Sequence, residues 1–128
     1  MAEQAKKKIL LVDDSMGVRG LVLRILRDLY EIAEAGSAES AIEALKAGGF
    51  HPDLILTDVN MSGGSGFDLL TEAKTCGLVP AARWIIMSDV ISETQAAYDK
   101  KARGLGAEFL PKNKMVSLLP KLVEKMLG

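Results

Sequence analysis

The 128-residue sequence lacks several features that mark specialised classes of protein. It contains one cysteine, Cys76, so an internal disulfide is excluded and a cysteine-rich metal site has too few thiols. No second thiol or activating pattern accompanies Cys76, which is therefore expected to be a partly buried thiol at a helix end with no redox role. The scarcity of cysteine is typical of a protein from a reducing compartment.

Neither sign of charge dominates, and no hydrophobic run is long. Sixteen basic and seventeen acidic residues leave a formal net charge of −1, so direct binding to nucleic acid or to an anionic membrane is not expected. The apolar run at 9–12 after the basic terminus is too short for a signal peptide or a membrane span. We predict a cytoplasmic protein with one domain over residues 1–128, of which 1–6 are a short tail.

Short apolar runs alternate with amphipathic segments along the chain. The predicted strands cover residues 9–12, 30–35, 54–56, 84–87 and 108–110. The predicted helices cover residues 18–29, 37–48, 67–76, 92–104 and 118–126. Pro120 falls inside the fifth helix unless Ser117 is its N-cap, and the sequence leaves that boundary open. The alternation predicts an α/β fold, a flavodoxin-like doubly wound parallel sheet of five strands in the order 2-1-3-4-5 with five helices.

Polar residues stand where the predicted strands end. Asp13 and Asp14 end the first strand, Asp58 the third and Ser88 the fourth, while Lys112 follows the fifth. In a doubly wound sheet ligands bind outside the carboxyl ends of the strands, and the first and third strands are neighbours in this order. Two carboxylates about 5 Å apart repel by roughly 3 kcal/mol, so the three acids need a cation or raised pKa values.

The acidic cluster indicates phosphoryl chemistry. Mg²⁺ binds hard oxygens, usually through one or two carboxylates, and shares a substrate phosphate. Asp58 could then attack phosphorus as a carboxylate nucleophile while Lys112 and the Ser88 hydroxyl bind the transferring oxygens. The product would be an aspartyl phosphate.

These residues resemble the response-regulator receiver domain of two-component signalling, in its single-domain, chemotaxis-regulator-like form. The segments ILLVDDS, PDLILTD, the helix-opening Gly66, IIMS and GAEFLPK follow in the family's order over nearly the whole chain. The resemblance implies Mg²⁺ as cofactor and a distinct role for each matching position. Asp58 would be the phosphoacceptor, Ser88 the switch hydroxyl and Lys112 the phosphate-sensing lysine. The metal would be held by Asp13, Asp14, Asp58 and the main-chain carbonyl of Asn60.

The same resemblance implies a stand-alone regulator whose partners are proteins. A histidine kinase or phosphotransfer protein would supply the phosphoryl group. A downstream target would bind the face of the fourth helix, fifth strand and fifth helix, with the switch aromatic Phe109 and with Tyr98 and Lys101 as candidate contacts. No enzymatic activity is expected beyond self-catalysed phosphoryl acceptance and autodephosphorylation.

Three places depart from the family pattern. The family usually has a proline directly after the position of Met61, whereas residues 62–64 here read Ser-Gly-Gly. This difference predicts a looser loop. Asn113 replaces a cis proline, so the bond after Lys112 is predicted to be trans, with a possible change in the lysine's position. Asp89 replaces a small residue and would either slow entry of the phosphodonor or turn away to solvent.

Two other functions remain open. One is a Mg²⁺-dependent phosphohydrolase. Such enzymes carry a second aspartate two residues beyond the nucleophile, and this function is disfavoured because that position is Asn60 here. A phosphorylation-independent, receiver-like interaction module is suggested by the three departures, although the intact acid cluster argues against it.

Overall fold

The structure is a computed structural model that describes residues 6–61, 64–89 and 92–128, apart from the side chains of 92 and 93. Its long strands are β1 Lys8–Val12, β2 Glu31–Ala35, β3 Leu54–Asp58, β4 Arg83–Ser88 and β5 Glu108–Pro111. Its helices are α1 Met16–Leu26, α2 Ala38–Ala47, α3 Gly66–Thr75, α4 Ser92–Gly104 and α5 Met115–Leu127. A 3₁₀ turn covers Lys112–Lys114, and a two-residue antiparallel ladder pairs Asn60–Met61 with Gly64–Ser65.

The long strands form one parallel sheet in the order β2-β1-β3-β4-β5, which confirms the predicted α/β class and strand order. Four of these strands run one or two residues beyond the apolar runs that predicted them, whereas β2 begins one residue later than predicted. β3 continues through Thr57 and Asp58 because the ladder to β4 persists there, with Asp58 opposite Met87. The candidate phosphoacceptor therefore lies on the strand itself rather than in the following loop.

Alternate residues of the central strands face opposite layers of helices. On β3, Leu54 and Leu56 join the core formed with α1 and α5, whereas Ile55 joins the core formed with α2 and α3. Each of these three side chains is fully buried. Because both faces of the sheet are covered, its strands consist of nearly continuous apolar residues.

Serine caps set the starts of the helices that lead away from the acidic edge. Ser15 and Ser65 accept hydrogen bonds from the third helical amides of α1 and α3, and Ser37 forms a capping box with Ser40 at α2. α2 ends at Gly48 in the left-handed region (φ 74°), as the sequence predicts. α3 begins one residue earlier than predicted.

The structure settles the start of α5, which the sequence left open, and corrects the predicted burial of Cys76. Ser117 is not the N-cap of α5, because the 3₁₀ turn runs directly into the helix at Lys114 and Pro120 lies inside it. Cys76 is exposed rather than partly buried. α3 ends at Thr75 and the chain turns at Gly77 (φ 67°), so the thiol does not continue the buried face of that helix. Within the described residues each helix is too short or too polar to cross a membrane.

Candidate functional site

The register of the sheet brings the acidic strand ends together. Val12 pairs with Thr57, so Asp13 and Asp58 follow at the same level on adjacent strands. Asp13 is fully buried and Asp58 is 5% exposed, whereas Asp14 is exposed. One carboxylate oxygen from each of these aspartates lies within 4.8 Å of the others, as the sequence predicts.

Lys112 points into this cluster from the end of β5. Its Nζ lies 3.0 Å from Asp13 Oδ2 and 3.3 Å from Asp58 Oδ2, and its side chain is 7% exposed. The bond between Lys112 and Asn113 is trans, as predicted. Loss of the family's proline therefore does not remove the lysine from the site.

Burial and neighbouring charges shift two pKa values in the cluster. Burial raises the pKa of Asp58 to about 6, against a lowering by the Lys112 charge, with a further increase from the Asp13 charge. A hydrogen bond from the Asn60 backbone amide to the Asp58 carboxylate also favours the ionised acid. Burial alone would lower the pKa of Lys112, but its contacts with Asp13 and Asp58 outweigh burial and raise it.

Ser88 lies at the end of β4, one residue beyond the Met87 that pairs with Asp58. Its side chain is fully buried, and within the described part of the chain its Oγ has no hydrogen-bond partner. A buried hydroxyl without a partner is costly in a folded protein. Ser88 is thus available to bind an oxygen that enters the site.

The three predicted switch and partner residues lie beyond the cluster, around α4. The half-buried Phe109 of β5 packs edge-to-face against Tyr98 of α4, with 6.3 Å between ring centroids. Tyr98 in turn packs against Phe67 at the start of α3, at 5.6 Å. The exposed Lys101 places its Nζ 4.6 Å from the centroid of the Phe67 ring. The roles of Phe109, Tyr98 and Lys101 stay predictions.

Asp89 remains close to the site while facing solvent. Its side chain is 81% exposed, and its Oδ2 lies 3.9 Å from Lys112 Nζ. It is therefore a third acid around the lysine, after Asp13 and Asp58. Of the glycine-rich loop, Ser62 and Gly63 lie outside the described residues, and Gly64 has a φ of 155°.

Two residues of the site were not predicted from the sequence. Arg19 of α1 donates from Nη1 to the main-chain carbonyl of Asp13, and a basic residue near a helix N-terminus was a possible signal because the helix dipole disfavours it there. Thr57 is fully buried and its Oγ1 donates to the Asp58 carbonyl at 3.1 Å, a bond that no sequence pattern indicated.

The donors present fit a hard divalent cation. Asp13 Oδ2 is buried, and Lys112 contacts it as an ion pair without hydrogen-bond geometry, so among the described residues this oxygen has no hydrogen-bond donor. Carboxylate oxygens from Asp14 and Asp58 converge beside it. Such an all-oxygen set suits Mg²⁺ rather than a soft transition metal.

A family model described as response regulator receiver domain matches residues 9–124. The chain belongs to this receiver family. Receiver domains are signalling modules of two-component systems, bind Mg²⁺ at an acidic pocket, and interact with histidine kinases and downstream targets. In this receiver the acidic cluster of Asp13, Asp14 and Asp58 could hold such an ion.

Individual relatives are similar over most of the chain. The receiver is 36% identical over 103 residues to the chemotaxis protein CheY of Halobacterium salinarum, which covers 80% of each chain. The solved chemotaxis response regulator CheY4 of Vibrio cholerae superposes with a TM-score of 0.81 at 26% identity, covering 96% of this chain and 100% of that one. The receiver domain from the hybrid histidine kinase CckA gives a TM-score of 0.75 at 30% identity, covering 94% and 99% respectively.

Another group of relatives is longer than this receiver. The protein-glutamate methylesterase/protein-glutamine glutaminase of Rhizobium etli is 31% identical over 104 residues, which cover 80% of this chain but 29% of that protein. The receiver thus spans less than a third of the length of such relatives.

Proposed function

We propose that this receiver, like a CheY-type response regulator, accepts a phosphoryl group on Asp58 in a Mg²⁺-dependent reaction and thereby changes its affinity for a protein partner. The observation that carries the proposal is the convergence of Asp13, Asp14 and Asp58 with Lys112 at one edge of the sheet. The 36% identity to CheY of Halobacterium salinarum over 103 residues supports the CheY-like reading.

Asp13, Asp14, Asp58 and the Asn60 carbonyl would hold the metal. When bound, Mg²⁺ supplies positive charge that offsets the acidic cluster and the charge of the phosphoryl oxygens. The other contributions to phosphoryl transfer would come from side chains of the receiver.

Asp58 is the proposed nucleophile. With a pKa of about 6 its carboxylate is mostly ionised at neutral pH. One Asp58 oxygen forms the bond to phosphorus as the bond from phosphorus to the donor's imidazole nitrogen breaks, and that nitrogen keeps the electron pair. Lys112 and Ser88 would bind the phosphoryl oxygens, Lys112 by charge and Ser88 with its unpartnered hydroxyl.

The new charge would change the conformation of the surface with which the receiver binds its partner. Ser88 and Lys112 lie at or beside the carboxyl ends of β4 and β5, and Phe109 lies on β5 with its ring against Tyr98. A dianionic group that draws Ser88 toward Asp58 would shift the position of Phe109. It would thereby change the conformation of the face formed by α4, β5 and α5, where Tyr98 and Lys101 are candidate contacts. A histidine kinase or phosphotransfer protein is the proposed donor, and a downstream protein the proposed target.

One specific observation favours a second candidate, a receiver-like interaction module that never uses its phosphorylation site. Asp89 adds negative charge 3.9 Å from Lys112, and this charge opposes the approach of an anionic phosphodonor. The buried Asp13 and Asp58 and the inward Lys112 would then serve no chemical purpose. We therefore prefer the phosphoryl acceptor.

Intact-mass spectrometry with a small acyl phosphate as donor tests the proposal. With Mg²⁺ the wild-type protein should gain one phosphoryl group, which is later lost, whereas Asp58→Asn and wild type in EDTA should gain none. Asp28→Asn is the matched control, because it makes the same change at an exposed site outside the cluster.

Each outcome points to one function. A transient adduct confined to proteins that retain Asp58 supports the response regulator. Sustained release of phosphate from varied phosphoesters would instead identify a phosphohydrolase. Absence of an adduct with every donor, including a phosphohistidine protein, would favour the interaction module.

A further inference from the structure

Arg19 is a basic residue in the first turns of α1, beside the acidic edge of the sheet. The helix starts at Met16 with Ser15 as N-cap and has no acidic residue in its first turn. A cation in this position opposes the helix dipole, typically at a cost of a few tenths of a kcal/mol to about 1 kcal/mol. The arginine is therefore not placed there to stabilise the helix.

The guanidinium makes two directed contacts. Nη1 donates to the main-chain carbonyl of Asp13, and Nε donates to Oε1 of Glu34 on β2 at 3.1 Å. The Arg19 side chain is 19% exposed and the Glu34 side chain 41%. Because a guanidinium presents its donors in a rigid fork, Glu34 sets the plane from which Nη1 reaches Asp13.

The carbonyl that Arg19 holds belongs to the peptide group that joins Asp13 to Asp14. Two further hydrogen bonds of Asp13 fix the preceding backbone and the side chain. The Asp13 amide donates to the Ala35 carbonyl at 3.1 Å, and Asp13 Oδ1 accepts from the Ser15 amide at 2.8 Å. Since a peptide group is planar, restraint of this carbonyl also restrains the backbone at the nitrogen of Asp14.

Asp14 is the exposed acid of the cluster, so burial does not fix the direction of its side chain. The backbone that carries this side chain sets the position of its Cβ and so contributes to where the carboxylate lies. We infer that Arg19 is a positioning residue for the acidic pair Asp13 and Asp14. Its guanidinium, oriented by Glu34, holds the peptide between these two residues and keeps the Asp14 carboxylate turned toward Asp58. The inference rests on the proposed function, because it assumes that these acids bind Mg²⁺.

A positioning role and a simple charge effect predict opposite signs. If Arg19 were only a cation near the site, its removal would relieve repulsion and tighten Mg²⁺ binding. If it positions Asp14, its removal should weaken binding, and partners that orient metal ligands are typically worth about 10-fold to 100-fold in affinity.

The test is calorimetric titration of the full chain with Mg²⁺ alone. Arg19→Met removes the charge and both hydrogen bonds, whereas Arg19→Lys keeps the charge but cannot reproduce the fork. We expect the dissociation constant to rise by about 10-fold or more in both variants. Arg103→Met is the matched control, because it breaks another guanidinium–carboxylate pair, with Asp99 on α4 at 2.9 Å, outside the cluster. It should change the affinity less than twofold.

A double-mutant cycle with Asp14→Asn separates positioning from general loss of structure. If Arg19 acts through Asp14, the effect of Arg19→Met should largely disappear in the Asp14→Asn background. Thermal unfolding in EDTA checks that each variant is folded. Should Arg19→Met be unstable, Arg19→Lys with the same cycle decides the question.

The failures are distinguishable. A wild-type protein that does not bind Mg²⁺ overturns the proposed function. Wild-type binding with unchanged or tighter binding in Arg19→Met and Arg19→Lys overturns the positioning role alone. An equal loss with and without Asp14 would also overturn it, because Arg19 would then act on the whole fold.

Discussion

Asp58 carries a conflict between stability and chemistry in a single side chain. It is 5% exposed, and burial raises its pKa to about 6 although Lys112 lies 3.3 Å away. In the unfolded chain an aspartate has a pKa of about 3.9. Folding without metal therefore disfavours the ionised form that a nucleophile requires.

The sign of this shift predicts a pH-dependent loss of stability. A folded pKa above the unfolded one means that the contribution of Asp58 is fully present below about pH 4 and is lost as the pH rises through about 6. The loss amounts to roughly 3 kcal/mol at pH 7. In EDTA, Asp58→Asn should be more stable than wild type by up to this amount at pH 7, with no difference near pH 4, as measured by urea unfolding.

Asp28→Asn is the control for the charge change, because Asp28 is exposed and outside the cluster. It should leave the free energy of unfolding within about 0.5 kcal/mol of wild type. Equal or lower stability of Asp58→Asn at pH 7 would show that Lys112 already compensates for the buried charge.

The junction between β3 and α3 depends on close backbone approach. Gly66 opens α3, and its amide donates to the Val59 carbonyl at 2.9 Å. A Cβ at this position would clash with the main-chain carbonyl of Asp58 and lie 3.1 Å from Cγ2 of Thr57. The start of α3 can thus lie against the strand end that carries the phosphoacceptor only because this residue is glycine.

Gly66→Ala should therefore displace either α3 or the end of β3. We expect a loss of about 1–3 kcal/mol in the free energy of unfolding, together with weaker Mg²⁺ binding. Gly20→Ala is the matched substitution, because Gly20 lies within α1 and an added Cβ would meet nothing within 4 Å beyond its own turn of helix backbone and its chain neighbours. That change should instead stabilise the protein by roughly 0.5–1 kcal/mol. Two effects of the same sign would contradict the close-approach interpretation.

At the scale of the whole molecule, one sheet serves two cores. The core around Ile55 lies against α2 and α3, and the core around Leu56 lies against α1 and α5. The two residues are consecutive on β3 and both are fully buried. Neither core can lose its packing without disturbing the strand that it shares with the other.

Ile55→Ala and Leu56→Ala should each destabilise the protein by about 2–5 kcal/mol, as core truncations do. Because the sheet is shared, both variants should unfold in one transition with the wild-type denaturant slope. Leu29→Ala, at a side chain that is 68% exposed, should cost less than about 0.5 kcal/mol. A biphasic transition in either core variant would mean that the layers unfold independently.

Much of the fold follows from short-range pattern. Continuous apolar runs indicate strands covered on both faces, and Ser37 and Gly48 mark the start and end of α2. The handedness and shortness of the connections then leave few strand orders, and the predicted order is the observed one. The start of α5 and the exposure of Cys76 were not predictable, because both depend on where a helix begins or ends relative to its neighbours.

The sequence by itself determined which chemical groups stand at the strand ends: three carboxylates, a hydroxyl and an amine. It did so because the hydrophobic pattern locates the carboxyl ends of the strands to within one or two residues. Only the tertiary structure decided that Arg19 holds the peptide between Asp13 and Asp14, and that Asp89 remains 3.9 Å from Lys112. Such contacts join elements far apart in the chain, and their distances depend on packing rather than on any local pattern.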